Sequence, residues 1–213
     1  MKKEKILEIN KKYSEKFIQP MKNPKVPKEI KNIIKNNNVK SMIDLGCGDG
    51  ILIHAIKKEF PKVKVSGVDL SPRRIAGLRD KFSKYNFYCV DATNTKIKEK
   101  FDFVHSSQVI EHVPSDKQMV CEMHRLLKSG GILFCSSVIK KRGSIYKYRC
   151  DGKFALDPTH VREYSNQKEF LDLFKADFKL IKSEVTPVYR TLFGLSIRIP
   201  GFYLVGGIWK KRK

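Results

Sequence analysis

A glycine-rich turn between two regular segments is the feature that most constrains the fold of this 213-residue chain. Residues 39–45 (VKSMIDL) form a largely apolar run, residues 46–50 (GCGDG) contain three glycines, and residues 51–60 (ILIHAIKKEF) have helical periodicity. Glycines at such a turn let the backbone bend sharply and let a ligand approach it closely. The pattern therefore predicts a buried strand, a ligand-binding turn and a helix, in that order.

Strand and helix patterns continue to alternate after the turn. In chain order they predict a strand over 63–70, a helix over 71–82, strands over 85–92 and 101–107, a helix over 115–128 ended by Ser129-Gly130-Gly131, and a strand over 132–139. Ser71 is a candidate N-cap, and Pro72 suits the first turn of the helix that follows it. Short strands that alternate with helices are typical of a mainly parallel sheet with both faces covered.

The two ends of the chain differ from this alternating centre. Helices at roughly 3–18 and 27–37 are predicted to form an N-terminal helical lid (residues 1–38) before the main domain (39–213). Residues 140–165 lack clear periodicity and are predicted to be a long loop inserted beside a functional site. Two β-rich runs, 178–190 and 202–210, are predicted to pair as antiparallel strands, joined by a Gly/Pro segment over 194–201.

The chemistry of the turn narrows the class of ligand. A dinucleotide-binding pattern would place its third glycine where this chain has Ile51, and the Gly-Lys-Ser/Thr of a P-loop is absent. Asp44 and Asp49 would repel a pyrophosphate but favour a ligand that carries an ammonium and a sulfonium group. Asp69 and Asp91 follow successive predicted strands, so they are expected to lie in the carboxyl-end crevice, where they suit a vicinal diol and an adenine.

Together these motifs resemble those of class I S-adenosylmethionine-dependent methyltransferases, especially the branch that includes quinone-biosynthesis and small-molecule methyltransferases. The resemblance covers roughly residues 39–138 and rests on five ordered segments, DLGCGDG (44–50), GVDLS (67–71), YCVDAT (88–93), FDFVHSSQVIEHV (101–113) and LLKSGGILFCSS (126–137). It implies an α/β fold with a Rossmann-like, doubly wound seven-stranded sheet. That sheet is expected to be mostly parallel, with an antiparallel edge hairpin, in a three-layer α/β/α arrangement.

The resemblance also implies S-adenosylmethionine as the methyl donor and assigns residues to its binding. Asp69 matches the acid that holds the ribose hydroxyls, and Asp91 with Ala92 matches the pair that reads the adenine. Leu70 and Val109 are expected to form apolar walls around the base. The full set of expected donor-binding residues is Asp44, Gly46, Cys47, Gly48, Gly50, Asp69, Leu70, Asp91, Ala92 and Ser107.

Methyl transfer from a sulfonium requires a nucleophile held close and in line, and a base helps when the acceptor is a hydroxyl or a protonated amine. Glu111, His112 and His160 are the candidate catalytic bases. The loop segment that contains His160 resembles one that borders the acceptor pocket in this branch. An alternative is that His160 and Arg162 only tie the loop to the domain. His105 lies inside an apolar run and is predicted to be a core histidine.

The charge of the chain bears on its partners. There are 44 Lys and Arg residues against 22 Asp and Glu, and most of the excess lies in residues 1–40 and 140–213. Either an anionic partner such as RNA, an acidic protein, a phosphorylated metabolite or a membrane surface meets these ends, or the lysines form a solvated surface. The tail 206–213 (GGIWKKRK) likewise either rests on an anionic membrane or is a strand with a solvated end.

We therefore expect an enzyme that transfers a methyl group to an oxygen or nitrogen of a small molecule or a lipid- or glycan-linked metabolite. The alternatives are methylation of RNA or protein bound through the basic termini, and a nucleic-acid-binding relative without turnover. Single cysteines and the lack of a signal-peptide core favour a cytoplasmic location. No metal site is predicted, because Cys121 and His124 lack a second pair of ligands.

Overall fold

Six helices and nine strands occur in the part of the chain that the computed structural model describes, residues 3–16, 23–141, 148–150, 153–155, 159–192 and 195–212. The helices are α1 (Lys3–Lys16), α2 (Lys28–Asn36), α3 (Ile51–Glu59), α4 (Pro72–Lys81), α5 (Asp116–Leu126) and α6 (Gln167–Asp172). The strands are β1 (Ser41–Leu45), β2 (Lys64–Asp69), β3 (Asn86–Cys89), β4 (Phe101–Ser107), β5 (Leu127–Lys140), β6 (Tyr148–Cys150), β7 (Lys153–Ala155), β8 (Phe178–Leu192) and β9 (Leu195–Lys211).

Seven of these strands form one sheet in the order β3-β2-β1-β4-β5-β9-β8. Neighbouring strands from β3 to β5 run parallel, whereas β9 pairs antiparallel with both β5 and β8. This mostly parallel sheet with an antiparallel edge pair confirms the predicted fold class. The strand order reverses between β1 and β4, and ligands of open α/β sheets bind at the carboxyl ends of the strands at such a point.

Alternate side chains of the strands enter two separate hydrophobic clusters, because successive residues point to opposite faces of a sheet. In β1, Met42 packs with residues of α2, α3 and α4, whereas Ile43 packs with residues of α5 and α6. Helices therefore cover both faces, as predicted. Helix α2 contributes three buried isoleucines to the first cluster, Ile30, Ile33 and Ile34.

Two predicted boundaries near glycine and proline are wrong. The helix predicted over 115–128 ends at Leu126, and the following Ser-Gly-Gly lies inside β5, where the register against β4 shifts and Gly130 has φ +70°. The segment predicted to join the last two strands is also largely strand, since β9 begins at Leu195. Pro200 fits there because the register between β8 and β9 shifts beside it, where the ladder does not require its missing N–H.

The segment 140–165 was predicted to be a long loop, but it contains two short strands. Strands β6 and β7 pair antiparallel within it, while residues 142–147, 151–152 and 156–158 lie outside the described residues. The end of the segment returns to the main sheet, since Tyr164 forms a parallel bridge with Ile139 and its carbonyl accepts from the Lys140 N–H at 2.8 Å. This return brings residues 159–164 beside the carboxyl end of β5.

The C-terminal segment lies in β9, inside the sheet. Trp209 is only 1% exposed and stacks on Phe174 with ring centroids 4.1 Å apart. Lys211 donates hydrogen bonds to the carbonyl oxygens of His124 and Leu127. The aromatic residue of the tail therefore belongs to the core and does not face a membrane surface. Among the helices described, none has the length and apolar character needed to cross a bilayer.

Candidate functional site

A cavity of about 670 Å³ lies at the carboxyl ends of the central parallel strands, a volume in the usual range for small-molecule sites. Val109, predicted as an apolar wall, lines it. Nine of the ten predicted donor-binding residues also line it, namely Asp44, Gly46, Cys47, Gly48, Asp69, Leu70, Asp91, Ala92 and Ser107. Segments that are far apart in the sequence thus meet at one cavity.

The glycine turn has the conformation that its sequence suggests. Gly46 has φ +80°, and a Cβ there would lie 2.2 Å from Cγ2 of Val109, so the turn packs directly against the cavity wall. Beside Gly48, in contrast, a Cβ would meet only the Arg74 guanidinium, at 3.9 Å, which leaves the backbone accessible. Gly50 does not line the cavity. It precedes α3 at φ +77° and packs against Leu78.

Asp69 connects the turn to the end of β2. Its Oδ2 accepts from the Gly48 N–H at 3.0 Å and its Oδ1 accepts from the Ser71 N–H at 2.9 Å, while the Arg74 guanidinium lies 3.7 Å away. Burial raises the pKa of the carboxyl despite these contacts. Asp69 therefore fixes the turn and also presents a carboxylate to the cavity.

The other acids of this region divide into two groups. Asp91 lines the cavity, where its Oδ1 accepts two hydrogen bonds from Thr93 and its Oδ2 lies 3.4 Å from Lys3 of α1. Asp49 does not line it. Its carboxylate lies 3.7 Å from Arg74 and 3.9 Å from Arg73. That Asp49 adds negative charge for a cationic ligand stays a prediction, since its carboxylate already pairs with two arginines.

His105 is a site residue that the motifs did not identify. Its Nδ1 lies 2.7 Å from Oδ1 of Asp44, and its ring stacks on Phe134 with centroids 5.2 Å apart. The ring is buried, as predicted, yet it also lines the cavity. The signal was the register of two neighbouring strands, since Asp44 and His105 are direct partners across β1 and β4.

The three predicted catalytic residues form one cluster. One ligand atom each of Glu111, His112 and His160 lies within 4.8 Å of the others, and the two imidazole rings are 4.8 Å apart. His112 lines the cavity, whereas Glu111 and His160 contact His112 without lining it. His160 lies 48 positions after His112 in the chain. The hydrogen bond from the Val161 N–H to the Glu111 carbonyl holds its loop against the turn that carries Glu111 and His112.

Glu111 is fully buried in this cluster. The Ser137 hydroxyl donates to its Oε2 at 2.9 Å, while Oε1 has no hydrogen-bond partner among the described residues. Burial raises the pKa of this carboxyl to about 7. A buried carboxyl with a pKa near neutrality is a common feature of functional sites.

Arg162 ties the loop to the domain, as one of the alternatives for this segment predicted. Its guanidinium donates to the carbonyl oxygens of Ile110, Val113 and Pro114 at 2.7 to 2.9 Å. These carbonyls belong to the turn that carries Glu111 and His112. Arg162 therefore has a structural role, and by holding the loop against this turn it also keeps His160 in the cluster.

Helix α1 forms part of the cavity wall. Asn10, Tyr13 and Ser14 line the cavity, and the Asn10 side-chain amide donates to the His112 carbonyl at 2.7 Å. The helix thus contacts both the cavity and the turn that carries the cluster. That it opens and closes as a lid stays a prediction.

Comparison with known sequences agrees with this arrangement. Residues 43–135 match a family described as "Methyltransferase domain". The chain is 31% identical over 134 residues to the ubiquinone biosynthesis O-methyltransferase of Coxiella burnetii, an alignment that covers 59% of this chain and 56% of that protein. It is 32% identical over 145 residues to the enzyme of the same name from Nitrosomonas europaea, covering 64% and 60%. The chain thus spans less than two thirds of the length of these relatives.

Solved structures show the same architecture at low sequence identity. The MccD protein superposes with a TM-score of 0.67 at 16% identity, covering 86% of this chain and 96% of that one. The N-methyltransferase NodS from Bradyrhizobium japonicum, solved with S-adenosyl-L-homocysteine, superposes with a TM-score of 0.59 at 12% identity, covering 86% and 84%. At this level of identity the likeness shows the fold.

Proposed function

We propose that this chain, which contains a class I S-adenosylmethionine-dependent methyltransferase domain, methylates a hydroxyl oxygen of a small molecule or of a lipid- or glycan-linked metabolite. The observation that carries the proposal is that nine of the ten predicted donor-binding residues line the same cavity as His112. This arrangement would place an acceptor between the donor and the Glu111, His112 and His160 cluster.

The residues of the cavity fit S-adenosylmethionine. The carboxylates of Asp69 and Asp91 are acceptors for the ribose hydroxyls and the adenine amino group, and Leu70 and Val109 supply apolar surface for the base. The open space beside Gly48 lets a ligand approach the backbone of the turn. Asp44 adds negative charge that suits the ammonium and sulfonium groups of the donor.

The bound donor supplies a methyl group already activated by positive sulfur, which passes to the acceptor oxygen as the carbon–sulfur bond breaks and its electron pair remains on sulfur. The protein must then hold the acceptor in line and remove the hydroxyl proton. His112 reaches the cavity, and the buried carboxyl of Glu111 lies beside it. We assign removal of the proton to this cluster.

The choice of oxygen as acceptor is supported by two considerations. The curated relatives described above carry the name O-methyltransferase, although the chain spans only part of their length. A hydroxyl also depends more on a nearby proton acceptor than a neutral amine does, and the cluster provides one. A neutral amine, in contrast, already carries a free electron pair and can attack the methyl carbon before it loses a proton.

Titration calorimetry with S-adenosylmethionine and S-adenosylhomocysteine tests the donor site. We expect binding of both by the wild-type chain, and at least tenfold weaker binding by Asp69→Ala, because charge-assisted hydrogen bonds contribute about 1.5–3 kcal/mol. Asp80→Ala is the matched control, since Asp80 is exposed on α4 and does not line the cavity. Absence of binding at millimolar ligand, or equal affinity in both variants, would contradict the proposal.

The acceptor atom is tested by transfer from methyl-labelled donor to matched acceptors. A hydroxylated aromatic compound and its amino analogue are incubated separately with the enzyme, and the products are identified by mass spectrometry. We expect label on the hydroxyl compound only. Label on the amine alone would overturn the assignment to oxygen but not the donor site.

A further inference from the structure

We propose that His105 is a positioning residue for the methyl donor. It holds the carboxylate of Asp44 toward the sulfonium, and the site therefore favours the charged donor relative to the product, whose sulfur is neutral. This role rests on the function proposed above, because it concerns the methyl donor of that reaction. The sequence motifs assign His105 no contact with the donor, so the role follows from the structure alone.

The order of the strands indicates which part of the methyl donor lies beside His105. Along the sheet the strands follow one another as β3, β2, β1 and β4. The cavity is lined by Asp91 just after β3, Asp69 at the end of β2, Asp44 in β1 and His105 in β4. With the adenine at Asp91 and the ribose at Asp69, the sulfonium bonded to the ribose continues toward the place where β1 and β4 meet.

The contact between His105 and Asp44 is short and largely shielded from water. Nδ1 of the ring lies 2.7 Å from Oδ1 of the carboxylate, and only 8% of His105 and 4% of Asp44 is exposed. Because a carboxylate accepts hydrogen bonds, the imidazole donates from Nδ1. This bond uses one oxygen of the carboxylate, so Oδ2 can face the positive charge of a ligand in the cavity.

The imidazole itself is held in one orientation by two aromatic rings. It stacks on Phe134, its direct partner in β5, with centroids 5.2 Å apart and an interplanar angle of 5°. It also meets Phe103 of β4 edge-on at 6.2 Å. A ring that packing holds in place also fixes the carboxylate to which it is bonded, and a group placed before the ligand arrives loses less entropy on binding.

A carboxylate held in this way acts on the charge of the sulfur. The negative charge of Asp44 attracts the sulfonium of S-adenosylmethionine, and beside low-dielectric protein this attraction is stronger than in bulk water. S-adenosylhomocysteine keeps the ammonium group of the donor but has a neutral sulfur. The ratio of the two affinities therefore measures the contribution of the sulfonium charge, and His105 changes it through the direction of the Asp44 carboxylate.

Titration calorimetry with both ligands tests this role in two variants of His105. His105→Phe keeps an aromatic ring beside Phe134 but removes the donating nitrogen, whereas His105→Asn gives up the ring and keeps an N–H near the position of Nδ1. In His105→Phe we expect the dissociation constant of S-adenosylmethionine, divided by that of S-adenosylhomocysteine, to rise roughly tenfold, as for loss of a charge-assisted hydrogen bond. In His105→Asn it should return toward the wild-type ratio. A ratio disturbed more by Asn than by Phe would indicate a packing role and overturn the proposal.

Ser106→Ala is the matched control. Ser106 follows His105 in β4, is buried, and donates to the Leu45 carbonyl of β1 at 3.0 Å, but it does not line the cavity. The substitution removes a neighbouring hydrogen bond between the same two strands. It should lower the free energy of unfolding and leave the ratio of dissociation constants unchanged. An equal change of the ratio in Ser106→Ala and His105→Phe would show that strand pairing sets the ratio, which overturns the proposal.

A double variant tests whether His105 acts through Asp44. Asp44→Asn alone should raise the ratio, and His105→Phe added to Asp44→Asn should change it no further, because the carboxylate is already gone. This pair has no buried, unpaired carboxylate and decides the outcome if thermal unfolding shows that His105→Phe alone does not fold. Any other result in the pair overturns the proposal.

The wild-type chain separates this inference from the proposed function. If it binds neither ligand, the donor site itself is contradicted. If it binds both and His105→Phe leaves the ratio unchanged, only the positioning role of His105 is overturned, and the methyltransferase proposal stands.

Discussion

Oδ1 of Asp44 lies 2.7 Å from Nδ1 of His105, where the two residues are direct partners across β1 and β4. Both side chains are buried and both line the cavity. The contact thus belongs to the core of the sheet and to the proposed donor site at once. Changes to Asp44 should therefore affect both the free energy of unfolding and the affinity for the ligand, and these two effects can be measured separately.

We expect Asp44→Ala to lower the free energy of unfolding by about 1–3 kcal/mol, because it leaves the buried imidazole of His105 without its partner. Asp44→Asn retains an oxygen acceptor and should cost less. Both variants lose the negative charge and should bind S-adenosylmethionine more weakly than wild type. Urea unfolding and titration calorimetry measure the two effects. Equal stability of the Ala and Asn variants would show that the hydrogen bond to His105 contributes little.

The two glycines Gly46 and Gly77 should respond in opposite directions to replacement by alanine. At Gly46 the backbone is left-handed and a Cβ would lie 2.2 Å from Val109, so Gly46→Ala should destabilise the protein by about 2–4 kcal/mol. Gly77 lies within α4 with nothing within 4 Å of an added Cβ. Gly77→Ala should therefore stabilise the protein by about 0.5–1 kcal/mol. Denaturant unfolding of both variants checks the contrast, which destabilisation by Gly77→Ala would contradict.

Arg162 should be needed for the position of the loop that carries His160. Because its guanidinium donates to three carbonyl oxygens, Arg162→Ala should lower the free energy of unfolding by about 2–3 kcal/mol. Arg162→Lys should restore only part of this loss, since an ammonium group lacks the planar fork of donors. Thermal and denaturant unfolding measure both. Full recovery in the lysine variant would show that charge alone suffices.

The pH dependence of stability should include a contribution from Asp102. Burial alone would raise the pKa of this carboxyl, but hydrogen bonds from Lys128, the Lys40 and Ser41 N–H groups and the Ser41 hydroxyl lower it below its usual value. A lowered pKa in the folded state stabilises the protein above the unfolded pKa of about 3.9, and this contribution is lost as the pH falls through the folded value.

Asp102→Asn should therefore be less stable than wild type at pH 6, with a difference that narrows steadily below about pH 4. Urea unfolding of the two proteins at several pH values between 3 and 6 provides the measurement. Asp80→Asn, at an exposed position on α4, is the control and should show no such trend. A difference that does not change with pH would indicate that the carboxylate charge is not involved.

Much of the fold followed from local sequence. The prediction that Ser71 caps α4 is confirmed, since its hydroxyl accepts from the Arg74 N–H and Pro72 opens the helix. The glycine turn and the acids at the strand ends predicted where the cavity lies, because parallel strands bring their carboxyl ends to one edge of the sheet. Such features depend on a few neighbouring residues, and their physical causes act over one turn or one strand.

Other features were decided by tertiary structure. The Gly/Pro segment 194–201 was predicted to separate the last two strands, yet a register shift accommodates Pro200 within β9. The pairing of Asp44 with His105 required the register of two strands, and the cluster of Glu111, His112 and His160 required a loop that Arg162 and the Glu111 carbonyl hold in place. The sequence by itself determined most of the helices and strands of the domain and nine residues that line the cavity. Only the tertiary structure brought the buried carboxylate and two imidazoles together, because contacts between distant segments depend on the packing of the whole domain.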